Sequence, residues 1–288
     1  MEMASPTALF PQPDGMFFAV LPFLIVFSGM VLSYREVSGS NLGYSKFAGD
    51  NSKQLRVPSK AGMFLLYFPS ALVAGAPLLY WYGLLPALPE GLKSCGASGL
   101  ASLLEKAGAA SDERLWLLVV TVFAHFTKRD LECLFVHKFS GYTNLGSLIF
   151  ISGAYATITG VLIMMQVLST GLAAPSLDLK WVGFAIYLVG VLGNGYHHWL
   201  LARLRKEGDK KYVVPQGGLF GVLVCPHYVF EIITFAGIAF MCQTVVGWSV
   251  LSLVFLYLTG RSITSKQWYF KKVDGFPRER SVLIPGVF

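Results

Sequence analysis

The sequence predicts an all-α integral membrane protein, a bundle of about seven transmembrane helices. Three observations carry this. Of 288 residues, 54% are hydrophobic and only 14% charged, against about 25% charged in an ordinary soluble domain. The charges gather between long uncharged stretches, and a spanning helix needs about 20 mostly apolar residues. Lys and Arg fall mainly in alternate loops, the bias that orients spans in a bilayer.

The first apolar segment covers 16–33. It follows Glu2 and Asp14 with no Lys or Arg. A cleavable signal peptide carries a positive leading region, so this segment is expected to stay as an anchor. Further segments run 61–86, 114–126, 147–173, 181–202, 218–241 and 244–260. The third is short and extends through a mixed stretch toward Val136. The sixth is interrupted by Cys225-Pro226-His227 and by Glu231. Loops 34–60 and 87–113 are the longest, too short for a soluble domain, and no internal repeat is visible. Cys95 falls in a loop, and Cys133, Cys225 and Cys242 lie in or beside apolar segments. They suit buried small hydrophobes rather than a disulfide framework.

With the N-terminus lumenal, loops 34–60, 127–146 and 203–217 and the tail from Arg261 hold 19 of the 23 Lys and Arg residues. Lys93, Lys106, Arg114 and Lys180 fall on the other side. This puts the C-terminus in the cytosol. The net charge of +7 is then mostly cytosolic. It serves topology and anionic lipid, or an anionic small molecule at that face, and calls for no nucleic-acid partner.

Ionisable groups inside a membrane are costly and tend to mark sites. Asn194, His198 and Arg205 are spaced by four and seven residues and share one helical face. Arg203, Arg205 and Lys206 sit where that helix meets the cytosol. Such a line suits a ligand with phosphates at one end and hydrogen-bonding groups at the other, or polar contact between helices. His227 and Glu231 are four apart and share a face, which suits hydrogen bonding to a ligand or a neighbouring helix. Five histidines with no HxxxH pair argue against a metal box. His125, Arg129 and Glu132 form a third cluster, followed by His137. An internal Arg129–Glu132 ion pair and a binding role are both open. Tyr67 lies some six residues inside the second segment and needs a hydrogen-bond partner there.

Toward the C-terminus the chain resembles the steroid 5α-reductase family. The resemblance rests on Val214-Pro215-Gln216-Gly217-Gly218-Leu219-Phe220, on Cys225-Pro226-His227-Tyr228 with Glu231, on Trp268-Tyr269-Phe270-Lys271, and on Phe276-Pro277-Arg278 through Leu283-Ile284-Pro285. It runs from about Thr121 to Phe288, with weaker matches at Gly43-Tyr44-Ser45-Lys46 and around Pro69-Ser70. Lys128-Arg129 and Leu134-Phe135-Val136-His137-Lys138-Phe139-Ser140 look like the enoyl-CoA reductase branch, and overall the chain looks most like plant steroid-reductase-type members.

The resemblance implies a seven-helix bundle in the endoplasmic reticulum membrane, with NADPH entering from the cytosol. It implies reduction of a carbon–carbon double bond conjugated to a carbonyl in a steroid, or in an enoyl-CoA or a polyprenal. Residues 1–110 would form the substrate side and 111–288 the cofactor side. Asn194, Arg205, Glu231 and Tyr269 match cofactor residues of the family. His198, His227 and His137 stand in place of an Asp, an Asn and an Asn. Arg261 and Tyr44 fall at cofactor-side positions, and Lys128 and Arg129 match a Lys-Arg pair. The Glu and Tyr that hold a steroid's oxo group appear here as Tyr67 and Phe126.

Hydride addition to a conjugated bond builds charge on the carbonyl oxygen, which a preplaced donor must meet. Tyr67 and Tyr228 are the two candidates, because a phenol stays protonated at neutral pH. No GxGxxG follows a strand, so a Rossmann site is not the route. Two other functions remain open at this point: a membrane methyltransferase using S-adenosylmethionine, and a seven-helix sterol-binding protein without chemistry.

Overall fold

The computed structural model describes residues 7–47, 55–84, 112–139, 141–204 and 212–286. Among them are seven α-helices: α1 (Met16–Val37), α2 (Ser59–Trp81), α3 (Glu113–Leu131), α4 (Leu145–Ser169), α5 (Lys180–Arg203), α6 (Pro226–Cys242) and α7 (Val245–Lys272). Helices α1, α2, α4 and α7 are long and apolar enough to cross a membrane, and α6 is apolar but shorter, at 17 residues. The chain is an all-α membrane protein. One small departure is a pair of three-residue strands, β1 (Arg56–Pro58) antiparallel to β2 (Tyr142–Asn144), with Val57 opposite Thr143.

The helix starts follow local chemistry. Asp112 accepts the backbone N–H groups of Arg114 and Leu115 to begin α3. Asn144 caps α4 through Ser147, and Thr244 caps α7 through Gly247. Each side chain satisfies a backbone donor that the first turn leaves unpaired. The sixth apolar segment does not form one helix from 218. Residues Gly218–Gly221 make a 3-10 turn, and α6 begins at Pro226. Proline fits a first helical position because its missing N–H has no helical partner there.

Two helices run further than their apolar stretches. Helix α3 continues past Phe126 to Leu131 and passes into a π turn, Glu132–Val136. Helix α7 extends to Lys272, and its buried face there includes Arg261, Ser262, Thr264 and Ser265. In both, the polar residues that end the apolar run face the bundle, so the helix persists.

Helices α5 and α6 pack backbone against backbone. A Cβ on Gly190 would lie 2.4 Å from the Thr234 nitrogen, and one on Gly183 would lie 2.6 Å from the Gly237 carbonyl oxygen. Small residues permit this approach and replace the hydrophobic drive that lipid does not supply. Helix α1 packs along α7, and α2 packs against α3 and α4. Helices α1 and α2 therefore share one bundle with the later helices.

The end of the bundle that holds the start of α3 is closed by a polar knot. Buried Arg114 donates to the Met241 carbonyl (2.7 Å), to Gln243 Oε1 (2.9 Å) and to Asp178 Oδ1 (2.6 Å). Gln243 is left-handed, with φ of 48°, and its amide donates to the Ala8 and Leu177 carbonyls. This knot satisfies the end of α6 and leaves the other end of the bundle for the site.

Candidate active site

A cavity of about 250 Å³ opens between the α2–α7 helices and the segments around residues 44–47 and 212–215. Eleven of the residues singled out from sequence line it: Tyr44, Tyr67, Arg129, His137, Asn194, His198, His227, Tyr228, Glu231, Arg261 and Tyr269. Lys128 lies just behind the wall. Its ammonium bonds Asn194 Oδ1 and lies 2.9 Å from Glu132 Oε1. Arg205 lies outside the described residues.

Arg129 organises the deep part of the cavity. Its guanidinium donates to the Tyr67 hydroxyl at 2.8 Å and to Glu132 Oε2 at 2.6 Å, and lies 2.7 Å from His198 Nδ1. His198 Nδ1 is in turn 2.9 Å from Glu132. Both the Arg129–Glu132 ion pair and the partner that Tyr67 needs are therefore present, and they belong to one network. Glu132 opens the π turn that follows α3, three residues beyond Arg129 and on the same face. Arg129 is thereby engaged within the bundle by Tyr67, Glu132 and His198.

Glu132, His137 and His198 place one ligand-type atom each within 4.8 Å of one another. The Arg129 guanidinium already touches two of these three groups, so the cluster surrounds its own organic cation. His137 is half-buried beyond the end of α3, and burial, with the Arg129 charge beside it, pushes its imidazole down to about 4. It is neutral at physiological pH.

His227 and Glu231 do not pair with each other. Glu231 Oε1 lies 3.2 Å from His125 Nε2 on α3, and the His227 carbonyl accepts from Asn194 Nδ2 at 2.9 Å. The i, i+4 spacing placed both on one face, and the partners come from neighbouring helices. Glu231 Oε2 and His227 Nδ1 are buried without a hydrogen-bond partner among the described residues.

Arg261 is buried and held by Glu36 of α1, with both carboxylate oxygens at 2.9–3.0 Å from Nη1. It also faces the Tyr44 and Phe47 rings at 4.2 and 4.1 Å. The Tyr44 and Tyr257 hydroxyls are hydrogen-bonded at 2.7 Å. Tyr269 stacks on Phe276 at 4.7 Å, and the Lys46 ammonium sits 4.2 Å from its ring centre.

Three wall residues escaped the sequence reading, Tyr155, Tyr257 and Lys46 in its aromatic setting, as did Glu36, which holds Arg261 from behind the wall. Tyr155 and Tyr257 carried the same signal as Tyr67, a phenol inside an apolar run. Glu36 lies just beyond the first apolar stretch, where a surface charge would also sit.

The family model described as 3-oxo-5-alpha-steroid 4-dehydrogenase matches residues 143–288, just over half the chain. The human protein named 3-oxo-5-alpha-steroid 4-dehydrogenase 1 is 35% identical over 107 residues, 37% of this chain and 41% of that protein. The chain thus aligns with about two fifths of that relative's length. The Gossypium hirsutum protein named steroid 5-alpha-reductase DET2 is 34% identical over 116 residues, 38% of this chain and 45% of that protein. Polyprenal reductase 2 of Arabidopsis thaliana is 23% identical over 323 residues, covering 94% of both chains. The matched half contains α4 through α7, which contribute Asn194, His198, His227, Glu231, Arg261 and Tyr269 to the cavity. On that match the chain belongs to the 3-oxo-5-alpha-steroid 4-dehydrogenase family.

Proposed function

We propose that the protein is an NADPH-dependent reductase of a carbon–carbon double bond conjugated to a carbonyl, acting on a steroid or an isoprenoid carbonyl lipid. It would sit in the endoplasmic reticulum membrane as a multi-pass protein with its basic end in the cytosol. The observation that carries the reading is the Tyr67 hydroxyl in the cavity, accepting an N–H from Arg129 at 2.8 Å.

That bond fixes the direction of the phenol. Its oxygen lone pair faces the guanidinium, so its own proton is free for an acceptor in the cavity. The charge that develops on a carbonyl oxygen during the reaction is met by this O–H, with the Arg129 charge behind it. Glu132 and His198 hold the other edge of the guanidinium and keep it from swinging into the cavity. Tyr228 lines the same cavity against His227, with ring centres 4.3 Å apart, and is the alternative donor.

The residues also fit the cofactor. Glu231 Oε2 and His227 Nδ1 are buried and unpartnered among the described residues, and a carboxamide supplies the donor and acceptor groups such atoms lack. Asn194, Glu231 and His227 would hold the nicotinamide end, and Tyr44, Tyr269 and Arg261 the remainder. NADPH, when bound, supplies the hydride.

The test is purified full-length protein in detergent, titrated with NADPH, NADH and S-adenosylmethionine. Mass spectrometry of products from 3-oxo-Δ4 steroids, enoyl-CoAs and polyprenals follows. Saturation by NADPH and gain of two hydrogens in one lipid class are expected. Binding of S-adenosylmethionine alone, or a methylated product, overturns the reading.

A further inference from the structure

Glu231 is the only carboxylate among the described residues that line the main cavity. Four cations line it as well: Lys46, Arg129, Lys138 and Arg261. Positive charge suits a ligand that carries phosphates and a carbonyl. It gives no reason for an anion in the same wall. Arg129 and Arg261 already have carboxylates of their own, Glu132 and Glu36, so Glu231 is not required to neutralise them. A buried carboxylate is costly to keep from water, and this one is kept in a cavity that is otherwise basic.

Its position is fixed from α3. His125 is 1% exposed, and its ring meets Phe126 and Phe235 edge to face, with ring centres 5.0 and 5.6 Å away. Its Nε2 lies 3.2 Å from Glu231 Oε1, and its Nδ1 has no hydrogen-bond partner among the described residues. A buried N–H without a partner is rarer than a buried lone pair without one. The proton therefore sits on Nε2, where His125 donates and Glu231 accepts as a carboxylate. The second oxygen, Oε2, stays buried and unpartnered among the described residues. Glu231 also borders a second, smaller cavity whose other lining residues are apolar except Tyr155 and Tyr257. Little on that side screens its charge.

We propose, resting on the reductase function above, that Glu231 is a catalytic residue whose charge stabilises the nicotinamide as it becomes a cation, and that His125 is its positioning residue. Reduction carries a hydride, one hydrogen with both bonding electrons, from the cofactor to the β-carbon of the substrate. The carbonyl oxygen holds the displaced electron pair until Tyr67 supplies a proton, which Tyr67 regains from solvent. Charge thus separates across the cavity, negative at the Tyr67–Arg129 end and positive at the Glu231 end. Fixed groups of opposite sign at the two ends lower the barrier because they are in place before the charges form. The same field acts in the absence of any substrate. Glu231 attracts the oxidised, cationic nicotinamide and not the reduced, neutral one, so it favours NADP+ relative to NADPH.

The experiment measures dissociation constants of NADPH and NADP+ for the full-length protein in detergent, without substrate. NADPH fluorescence reads the first, and displacement of NADPH by NADP+ reads the second. Glu231→Gln keeps the shape and an acceptor for His125 but removes the charge. It should weaken NADP+ about tenfold more than NADPH, the effect of one charge at several ångströms in a partly screened interior. His125→Leu leaves the carboxylate unheld and should shift the ratio the same way, by less. His125→Gln, whose amide N–H takes the place of Nε2–H, should restore the parent ratio. An unchanged ratio in folded Glu231→Gln, whether both affinities fall together or neither moves, overturns the charge role. Matching ratios in the two His125 variants overturn the positioning role. Should Glu231→Gln fail to fold, the His125 variants alone decide, and matching ratios overturn the inference. In each case the reductase function stands. A parent protein that binds neither form of the cofactor overturns that function, and the inference with it.

Discussion

The Tyr67 hydroxyl accepts a 2.8 Å hydrogen bond from Arg129, whose guanidinium carbon also lies 4.7 Å from the centre of the Tyr67 ring. One cation therefore fixes both the position of the phenol and the direction of its proton. Tyr67 and Arg129 come from α2 and α3, so the bond ties together two helices that both precede the family-matched residues 143–288. Phenylalanine at 126 has no hydrogen-bonding group, and Phe126 packs edge-on against Tyr155. In the proposed reaction the donor role falls to a phenol with a cation behind it.

Tyr67→Phe is expected to lower kcat on the order of 10²–10³, the cost of removing one donor to a developing oxyanion. NADPH affinity should be unchanged, because the hydroxyl faces the carbonyl position. The swap keeps the ring and its packing, so a large loss cannot be assigned to a cavity. Single-turnover rates on a verified substrate, beside an NADPH titration, make the comparison. If Tyr228→Phe produces the loss and Tyr67→Phe does not, the donor is Tyr228.

Glu36 and Arg261 are each 1% exposed and pair only through the contact of α1 with α7. Removing one partner strands a buried charge, typically at a cost of about 3–5 kcal/mol. Glu36→Ala should therefore lower the unfolding temperature markedly in detergent. A joint replacement, Glu36→Leu with Arg261→Met, should recover most of the loss. Recovery would show that the pair serves geometry more than stability. A single variant as stable as the parent would show that α1 does not depend on it.

The membrane class and the helix order were legible because apolar length acts segment by segment. Seven apolar stretches correspond to seven helices among the described residues. Helix ends were less legible. Nothing local announces that Lys128, Arg129 and Glu132 continue a helix inward, since their partners Tyr67, Asn194 and His198 lie 62 to 69 residues away. For the site, spacing identified which residues share a face but not which helix they meet. His227 and Glu231 illustrate this, with Asn194 and His125 as their separate partners. Glu36 was invisible for the same reason: a charge just past an apolar run reads as surface until its partner on α7 is known.

The Lys/Arg distribution predicts that loop 203–217 and the C-terminal tail face the cytosol, with 11 of the 23 basic residues between them. Glycosylation acceptors introduced in loop 203–217 should remain unmodified, and modification there would reverse the topology. Within the same loop, Arg205→Ala should weaken NADPH binding by about 1.5–3 kcal/mol, the value of one charge-assisted hydrogen bond to phosphate. Isothermal titration of folded variant against parent reads this directly, and equal affinity would remove Arg205 from the phosphate site.

The last prediction concerns acid. Burial and the Arg129 charge hold the His137 imidazole down to about 4 in the folded protein, against about 6.5 in an unfolded chain. Between those values the unfolded chain binds a proton that the folded protein does not. Stability linked to this residue is therefore complete above about pH 6.5 and falls as pH drops toward 4. His137→Asn replaces the imidazole with an amide that does not titrate, and so should flatten this part of the profile. The measurement is the unfolding temperature of both proteins in detergent at pH 7.5, 6 and 5, reported as the drop from the pH 7.5 value. The parent should lose more than the variant at pH 5, while the variant need not be the more stable at pH 7.5. Parallel profiles would mean that His137 takes up its proton equally in both states. In that case neither burial nor the Arg129 charge opposes its protonation in the folded protein.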